Sequence, residues 1–158
     1  MRPISASCVF ALVVVMCSAI AGQQTSSLDQ VKCIYVGSFG DKPDSSKLRH
    51  DLITELNKHR RLTVVDSPGA AEAVLKGSGE VWIKGYYSLN PRIREVGEGA
   101  LPIYGGFLSV ELTGRQAEPL WSWLVTPRRT GSGDIRRELA GEIAKRLDDA
   151  MASSSARR

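Results

Sequence analysis

The sequence predicts an α/β domain: a single mixed β-sheet with two main helices packed on one face. Residues 75–84 alternate between small or apolar side chains and polar ones, which is the period of a strand with one buried face. Residues 45–58 and the residues from about 132 to 151 instead repeat leucine or isoleucine at every fourth position. That spacing places the apolar side chains on one stripe of a helix, and this stripe must pack against the sheet.

The elements follow one another in the order β-α-β-(short α)-β-β-β-α. Residues 31–39 predict the first strand, because β-branched and aromatic side chains fit a pleated surface. Residues 62–65 predict the second strand, and an Ala-rich helical turn then leads into the long central strand at residues 75–86. Residues 107–113 and 120–126 are separated by a turn that contains glycine and proline, so they predict an antiparallel hairpin.

The amino end has the pattern of a signal peptide at residues 1–21. Arg2 supplies the positive charge, residues 8–20 are apolar, and the small residues Ala19 and Ala21 fit a cleavage site after Ala21. The apolar run is shorter than the roughly 20 residues that a membrane span needs. We therefore expect a periplasmic or secreted mature chain without a transmembrane segment.

The mature chain is long enough for one domain, which we place at residues 31–151. A flexible arm at residues 22–30 precedes it, and a small, polar, disordered tail at residues 152–158 follows it. Residues 88–106 contain two prolines and four glycines and predict a long loop. Such a loop is either a partner-binding loop or a plain insertion, and the residues leave both readings open.

Charge and cysteine content exclude several classes of protein. Without the leader, the chain carries basic and acidic side chains in nearly equal number, interspersed along the sequence. A nucleic-acid binder would show a concentrated basic stripe, so we expect no nucleic-acid partner. Cys33 is the one cysteine after residue 21, and an internal disulfide is therefore impossible.

No residue set predicts a reaction, a metal site or a cofactor. His50 and His59 are nine residues apart on or just after a helix, which turns them to opposite sides. The segment Gly77-Ser78-Gly79 lies inside a strand and differs from the Gly-x-Ser-x-Gly nucleophile elbow. Among the carboxylates, Glu80 and Glu111 beside the tryptophans keep a small exported glycan-acting enzyme open as an alternative function.

Two surfaces are candidates for binding. We expect Trp82, Phe107 and one of the pair Trp121 and Trp123 to share the sheet face opposite the helices, where they bind a partner or are covered within the chain. The second candidate is a basic turn that opens the last helix and that free helix amides suit for an anion. Its residues are Arg128 and Arg129, followed by the segment from Gly131 to Asp134.

The order of elements, together with three local motifs, resembles a known group of proteins. The motifs are Leu-Thr-Val-Val-Asp at residues 62–66, the segment at residues 70–79 with its Gly-x-Gly pair, and Leu-Trp-Ser at residues 120–122. The chain resembles the periplasmic α/β domains of the TolB amino-terminal, CsgG and LpoB kind. This resemblance implies a noncatalytic envelope module, without a cofactor, that binds other envelope proteins or assembles with copies of itself.

Overall fold

Five strands form one mixed sheet, and both main helices pack on the same face of it. The computed structural model describes residues 27–87, 100–128 and 135–156. Its strands are β1 (Cys33–Val36), β2 (Thr63–Val65), β3 (Ala73–Tyr87), β4 (Leu101–Gly114) and β5 (Pro119–Val125); its helices are α1 (Pro43–Leu56) and α2 (Ile135–Ser155). The predicted fold class and order of elements are confirmed.

The strand order is β2-β1-β3-β4-β5, so β3 occupies the centre of the sheet as predicted. β1 runs parallel to both β2 and β3, whereas β4 runs antiparallel to both of its neighbours, β3 and β5. The parallel part comes from the two crossovers, through α1 and through a short 3-10 turn at Pro68–Ala70. The antiparallel part consists of the predicted hairpin, β4 and β5, together with β3.

The core lies between the sheet and the two helices. From α1 it takes Leu48, Leu52 and Leu56, and from α2 it takes the stripe that runs from Ile135 to Met151. The sheet contributes alternate residues of β3 and β4, among them Leu75, Leu108, Val110 and Leu112. The fourfold spacing in the helices and the alternation in the strands therefore identified the buried faces correctly.

The helix ends differ from the sequence prediction. The sequence placed the start of this helix at residue 45, whereas α1 begins at Pro43. Ser45 is buried, and its hydroxyl donates to the carbonyl oxygen of Gly79 at 3.3 Å. This bond ties the first turn of α1 to the central strand.

Helical structure extends into both the predicted flexible arm and the predicted disordered tail. Leu28–Gln30, assigned from sequence to a flexible arm, forms a 3-10 turn in which Leu28 packs against the core. At the other end, α2 continues to Ser155, so the prediction of a disordered tail is wrong for residues 152–155. Burial of Leu28 and continuation of the hydrogen-bonded helix outweigh the polar composition of these segments.

The predicted loop at residues 88–106 is also wrong in its last part, because β4 begins at Leu101. Pro102, Gly105 and Gly106 pointed to a loop. A proline is tolerated in a strand where its missing N–H would face no neighbour. One side of β4 is open at Pro102, because β3 pairs with it there and β5 joins it only from Leu108 onwards.

Several predicted features lie outside the described residues: the signal peptide, the loop at residues 88–99, Arg129, the segment from Gly131 to Asp134, and residues 157–158. Within the described ranges, neither helix combines the length and the apolar character that a membrane crossing requires.

Candidate protein-binding surface

A two-stranded part of the sheet extends beyond its neighbours. β1 pairs with β3 only at residues 73–75, and β5 pairs with β4 only from Leu108 towards its carboxyl end. Residues 80–87 of β3 and 101–107 of β4 therefore pair with each other, and among the described residues no third strand flanks them. We call these two segments the hairpin extension.

Exposed apolar side chains concentrate on the hairpin extension. Five of the seven large apolar residues that are exposed in the described part of the chain lie there. They are Trp82, Ile83, Tyr86, Tyr87 and Leu101. A monomeric protein normally scatters such residues singly, so their grouping makes the hairpin extension a candidate binding surface.

A β-bulge decides which of these side chains share a face. β3 and β4 pair regularly up to Ile83 and Tyr104, and the register then shifts so that Gly85 lies opposite Ile103. Lys84 is the extra residue of the bulge. Because paired residues of antiparallel strands point to the same face, the shift places Tyr87 and Leu101 on the face that carries Trp82.

That face is the open face of the sheet, opposite the helices, and its apolar residues form what we call the aromatic strip. The strip consists of Trp82, Tyr87, Leu101, Ile103 and Phe107. The Trp82 and Phe107 rings lie 6.4 Å apart between centroids at 58°, a tilted arrangement favourable for aromatic pairs. The sequence prediction that these two residues share the open face therefore agrees with the geometry.

Gly105 makes room for the Trp82 indole. The two residues are paired across β3 and β4, and a β-carbon at Gly105 would lie 3.1 Å from the indole Nε1 and 3.2 Å from Cε2. These distances are shorter than ordinary contacts. The indole therefore lies closer to position 105 than a side chain there would allow.

Charged residues border the strip at the end nearer the core. Glu80 forms an ion pair with Lys42, and Lys76 lies opposite Glu111 four residues further along the same face. An apolar centre with a charged rim is the usual anatomy of a protein-protein contact surface.

The other two tryptophans lie on the opposite face. Trp121 pairs with Leu112 and Trp123 with Val110, which are core residues under the helices. The two indoles stack at 6.5 Å and 8°, and the guanidinium of Arg146 on α2 lies 5.2 Å from the Trp123 ring. The prediction that one of this pair joins Trp82 on the open face is wrong, because the hairpin register with β4 fixes both on the helix side.

The basic turn is described only at its start. The Arg128 backbone N–H donates to Glu138 at 3.1 Å, and its guanidinium lies 3.8 Å from Glu142. Both acids belong to α2, so the charge of Arg128 is already partly matched. Arg129 and the glycines lie outside the described residues, and the anion-binding prediction stays a prediction.

The carboxylates proposed for a glycan-acting enzyme are far apart. Glu80 and Glu111 share the open face, but Glu111 pairs with Lys76, four residues from Glu80 along β3. Four residues of a strand span about 13 Å, whereas paired catalytic carboxyls lie roughly 5 to 9.5 Å apart. The depression beside Glu111 is shallow, about 240 Å³, and is lined also by Lys76, Ser78 and Ser109.

Potential metal ligands do not cluster either. Within residues 27–87, 100–128 and 135–156, no three side chains of His, Cys, Asp or Glu come together in a group that could hold an ion.

Comparison with known proteins gives a likeness of fold. No protein-family model and no curated protein matches the chain. Among solved structures, the PelC dodecamer from Paraburkholderia phytofirmans has a TM-score of 0.51 at 20% identity, covering 73% of this chain and 86% of that one. At this identity the likeness concerns the fold alone.

Two further structures carry lipoprotein titles. An uncharacterised lipoprotein B from Nitrosomonas europaea has a TM-score of 0.47 at 14% identity, covering 82% of this chain and 90% of that one. The rare lipoprotein B from Shewanella oneidensis has a TM-score of 0.45 at 16% identity, covering 80% and 98% respectively. These values are too low to support an argument about function.

Proposed function

We propose that this chain is a noncatalytic, exported module of the cell envelope that binds another protein through the aromatic strip. The observation that supports this most directly is the strip itself, in which Trp82, Tyr87 and Leu101 are exposed beside the half-buried Ile103 and Phe107. Export rests on the signal-peptide pattern of residues 1–21, and the envelope setting rests on the family resemblance.

The composition of the strip suits a protein partner. Tryptophan and tyrosine are enriched among the residues that contribute most to protein-protein binding, because they bury much area at little conformational cost. Burying one large apolar side chain contributes on the order of 1.5–3 kcal/mol. Trp82 and Tyr87 are about half exposed, so each retains area that a partner could cover.

Assembly with further copies is one form that this binding takes. The PelC structure is a dodecamer, which is an example of self-assembly by a chain of similar fold. The partner in our proposal is therefore a protein with an apolar surface, either a second copy of this chain or another envelope protein.

Site-specific photo-crosslinking in the native host tests the proposal. A benzophenone amino acid replaces Tyr87, and a control probe replaces Thr54, an exposed residue of α1 on the other side of the domain. We expect one discrete protein adduct from position 87 and none from position 54. Mass spectrometry of the adduct then separates a second copy from another protein.

Two neighbouring residues provide the matched variants. Trp82 and Ile83 are adjacent on β3 and similarly exposed, at 44% and 48%, but point to opposite faces. Trp82→Ala should abolish the adduct from position 87, and Ile83→Ala should retain it. Equal loss in both variants, or an equal adduct from both probe positions, would contradict binding through the strip.

A further inference from the structure

The outer edge of β5 has the sequence of a self-complementary strand. Residues 120–124 read Leu-Trp-Ser-Trp-Leu, which is the same in both directions about Ser122. In the described part of the chain, β5 is the last strand of the sheet and pairs only with β4. Its outer edge is thus available for a further strand.

β5 also lacks the usual protection of an edge strand. Natural edges carry charged side chains, an interior proline or a bulge that prevents pairing with another chain. β5 contains no charged residue, and its proline is its first residue, Pro119. The register shift lies at its start, beside Leu112 and Thr113, so the strand is regular from Trp121 to Val125. Trp123 and Leu124 remain exposed at 40% and 60%.

We propose that the occupant of this edge is β5 of a second copy, in an antiparallel pair centred on Ser122. A two-fold axis there places each residue opposite the one equally distant on the other side of the centre. Ser122 then faces Ser122 of the second copy, and Trp121 faces its Trp123. A two-fold contact must be complementary to itself, and a palindromic strand meets this condition in a way that a random edge does not.

The faces of the sheet agree with this pairing. Trp121 and Trp123 both lie on the helix side and are already stacked on each other. The two-fold pair would therefore bring four indoles into one row, and aromatic pairs across strands are favourable.

This surface differs from the aromatic strip, and the dimer goes beyond the proposed function. The pairing buries one short strand per copy, which is at the small end of specific interfaces. We expect a dimer that dissociates on dilution. Sedimentation velocity of the purified full chain over a range of concentrations measures it directly.

Two serines provide a matched pair of variants. Ser122 and Ser78 are both exposed on the open face, but Ser122 lies on the edge strand and Ser78 on the central strand. Ser122→Glu places two carboxylates opposite each other across the two-fold, beside Glu111 of each copy. Such like-charge contacts should weaken the dimer by about tenfold or more. Ser78→Glu should leave the dissociation constant unchanged.

A second edge variant and a crosslink distinguish loss of the dimer from loss of the fold. Leu124→Lys introduces the opposite charge at the most exposed apolar residue of β5, and it should weaken the dimer while circular dichroism stays native. A benzophenone probe at position 122 should crosslink to a peptide containing residues 119–125.

The outcomes distinguish this proposal from the proposed function. A monomer at every concentration, a dimer that Ser122→Glu and Leu124→Lys leave intact, or a crosslink from position 122 to another segment would each overturn pairing through β5. Loss of the dimer in the edge variants, with the adduct from position 87 retained, supports both. If the otherwise unaltered chain gives no adduct from position 87 but still dimerises through β5, binding through the strip is refuted and the dimer stands.

Discussion

Gly77 is the position where one added methyl group should do most damage to the sheet. Gly77 lies on the helix side of β3, opposite Val110 of β4. A β-carbon there would lie 2.5 Å from the carbonyl oxygen of Ser109, 3.0 Å from Val110 Cγ1 and 3.2 Å from Phe39 Cδ1. The nearest atom is backbone, which cannot rotate away. Gly77→Ala must therefore move β3 and β4 apart in the middle of the sheet.

The magnitude follows from two opposing contributions. Overpacking of a core typically costs about 1–3 kcal/mol, and a backbone contact places this case at the upper end. Replacing glycine by alanine also restricts the unfolded chain and returns roughly 0.5–1 kcal/mol. We expect Gly77→Ala to lower the free energy of unfolding by about 2 kcal/mol.

Gly85→Ala is the matched control on the same strand. Nothing lies within 4 Å of a β-carbon at Gly85, and its φ is negative like that of Gly77. This variant should be neutral or more stable by up to about 1 kcal/mol, since only the unfolded-state contribution applies. Urea unfolding followed by circular dichroism measures both variants. Equal stability of the two would refute the argument that close approach of β4 requires glycine at position 77.

Two further predictions concern stability. The backbone N–H groups of Lys32 and Cys33 donate to the Glu72 carboxylate at 2.6 and 3.1 Å and hold its pKa below the usual value of 4.5. The resulting stabilisation is complete above the unfolded pKa and is lost as the pH falls through the folded pKa. Glu72→Gln should therefore reduce the loss of stability at acid pH in a curve of unfolding free energy against pH. An unchanged acid limb of that curve would contradict this. Ala117 has a φ of 61° in the β4–β5 turn, a conformation that glycine adopts without strain. Ala117→Gly should therefore increase the free energy of unfolding by roughly 0.5–1 kcal/mol and raise the melting temperature. A lower melting temperature would show that the turn is unstrained.

The sequence predicted the fold well wherever one residue period ran without interruption. The fourfold spacing of Leu48, Leu52 and Leu56 and the alternation along β3 each identify a buried face without knowledge of the rest of the chain. The start of β4 was missed because Pro102 and the two glycines near it are loop residues in most contexts. Here they lie in a strand, in a part of β4 that pairs with β3 alone.

The candidate surface could be predicted only in part, since a period of two defines two faces but does not say which faces the helices. For Trp82 and Phe107 the phase followed from the apolar partners within their own strands. For Trp121 and Trp123 it depends on the register of β5 with β4, which a shift beside Leu112 sets. The place of Tyr87 in the aromatic strip depends likewise on a bulge. Neither the bulge nor the register shift can be predicted from the local composition.

The two faces of the β3–β4 pair differ in how tightly their glycines are packed. On the helix side, Gly77 lies so close to β4 that a side chain there would act on the packing of the whole sheet. On the open side, the three atoms nearest to a β-carbon at Gly105 all belong to the Trp82 indole, a side chain that is 44% exposed. Substitutions on the open side of the hairpin extension should therefore change binding at little cost in stability. A surface that can vary in this way without unfolding the domain is what a binding module needs, because its partner specificity and its fold depend on different residues.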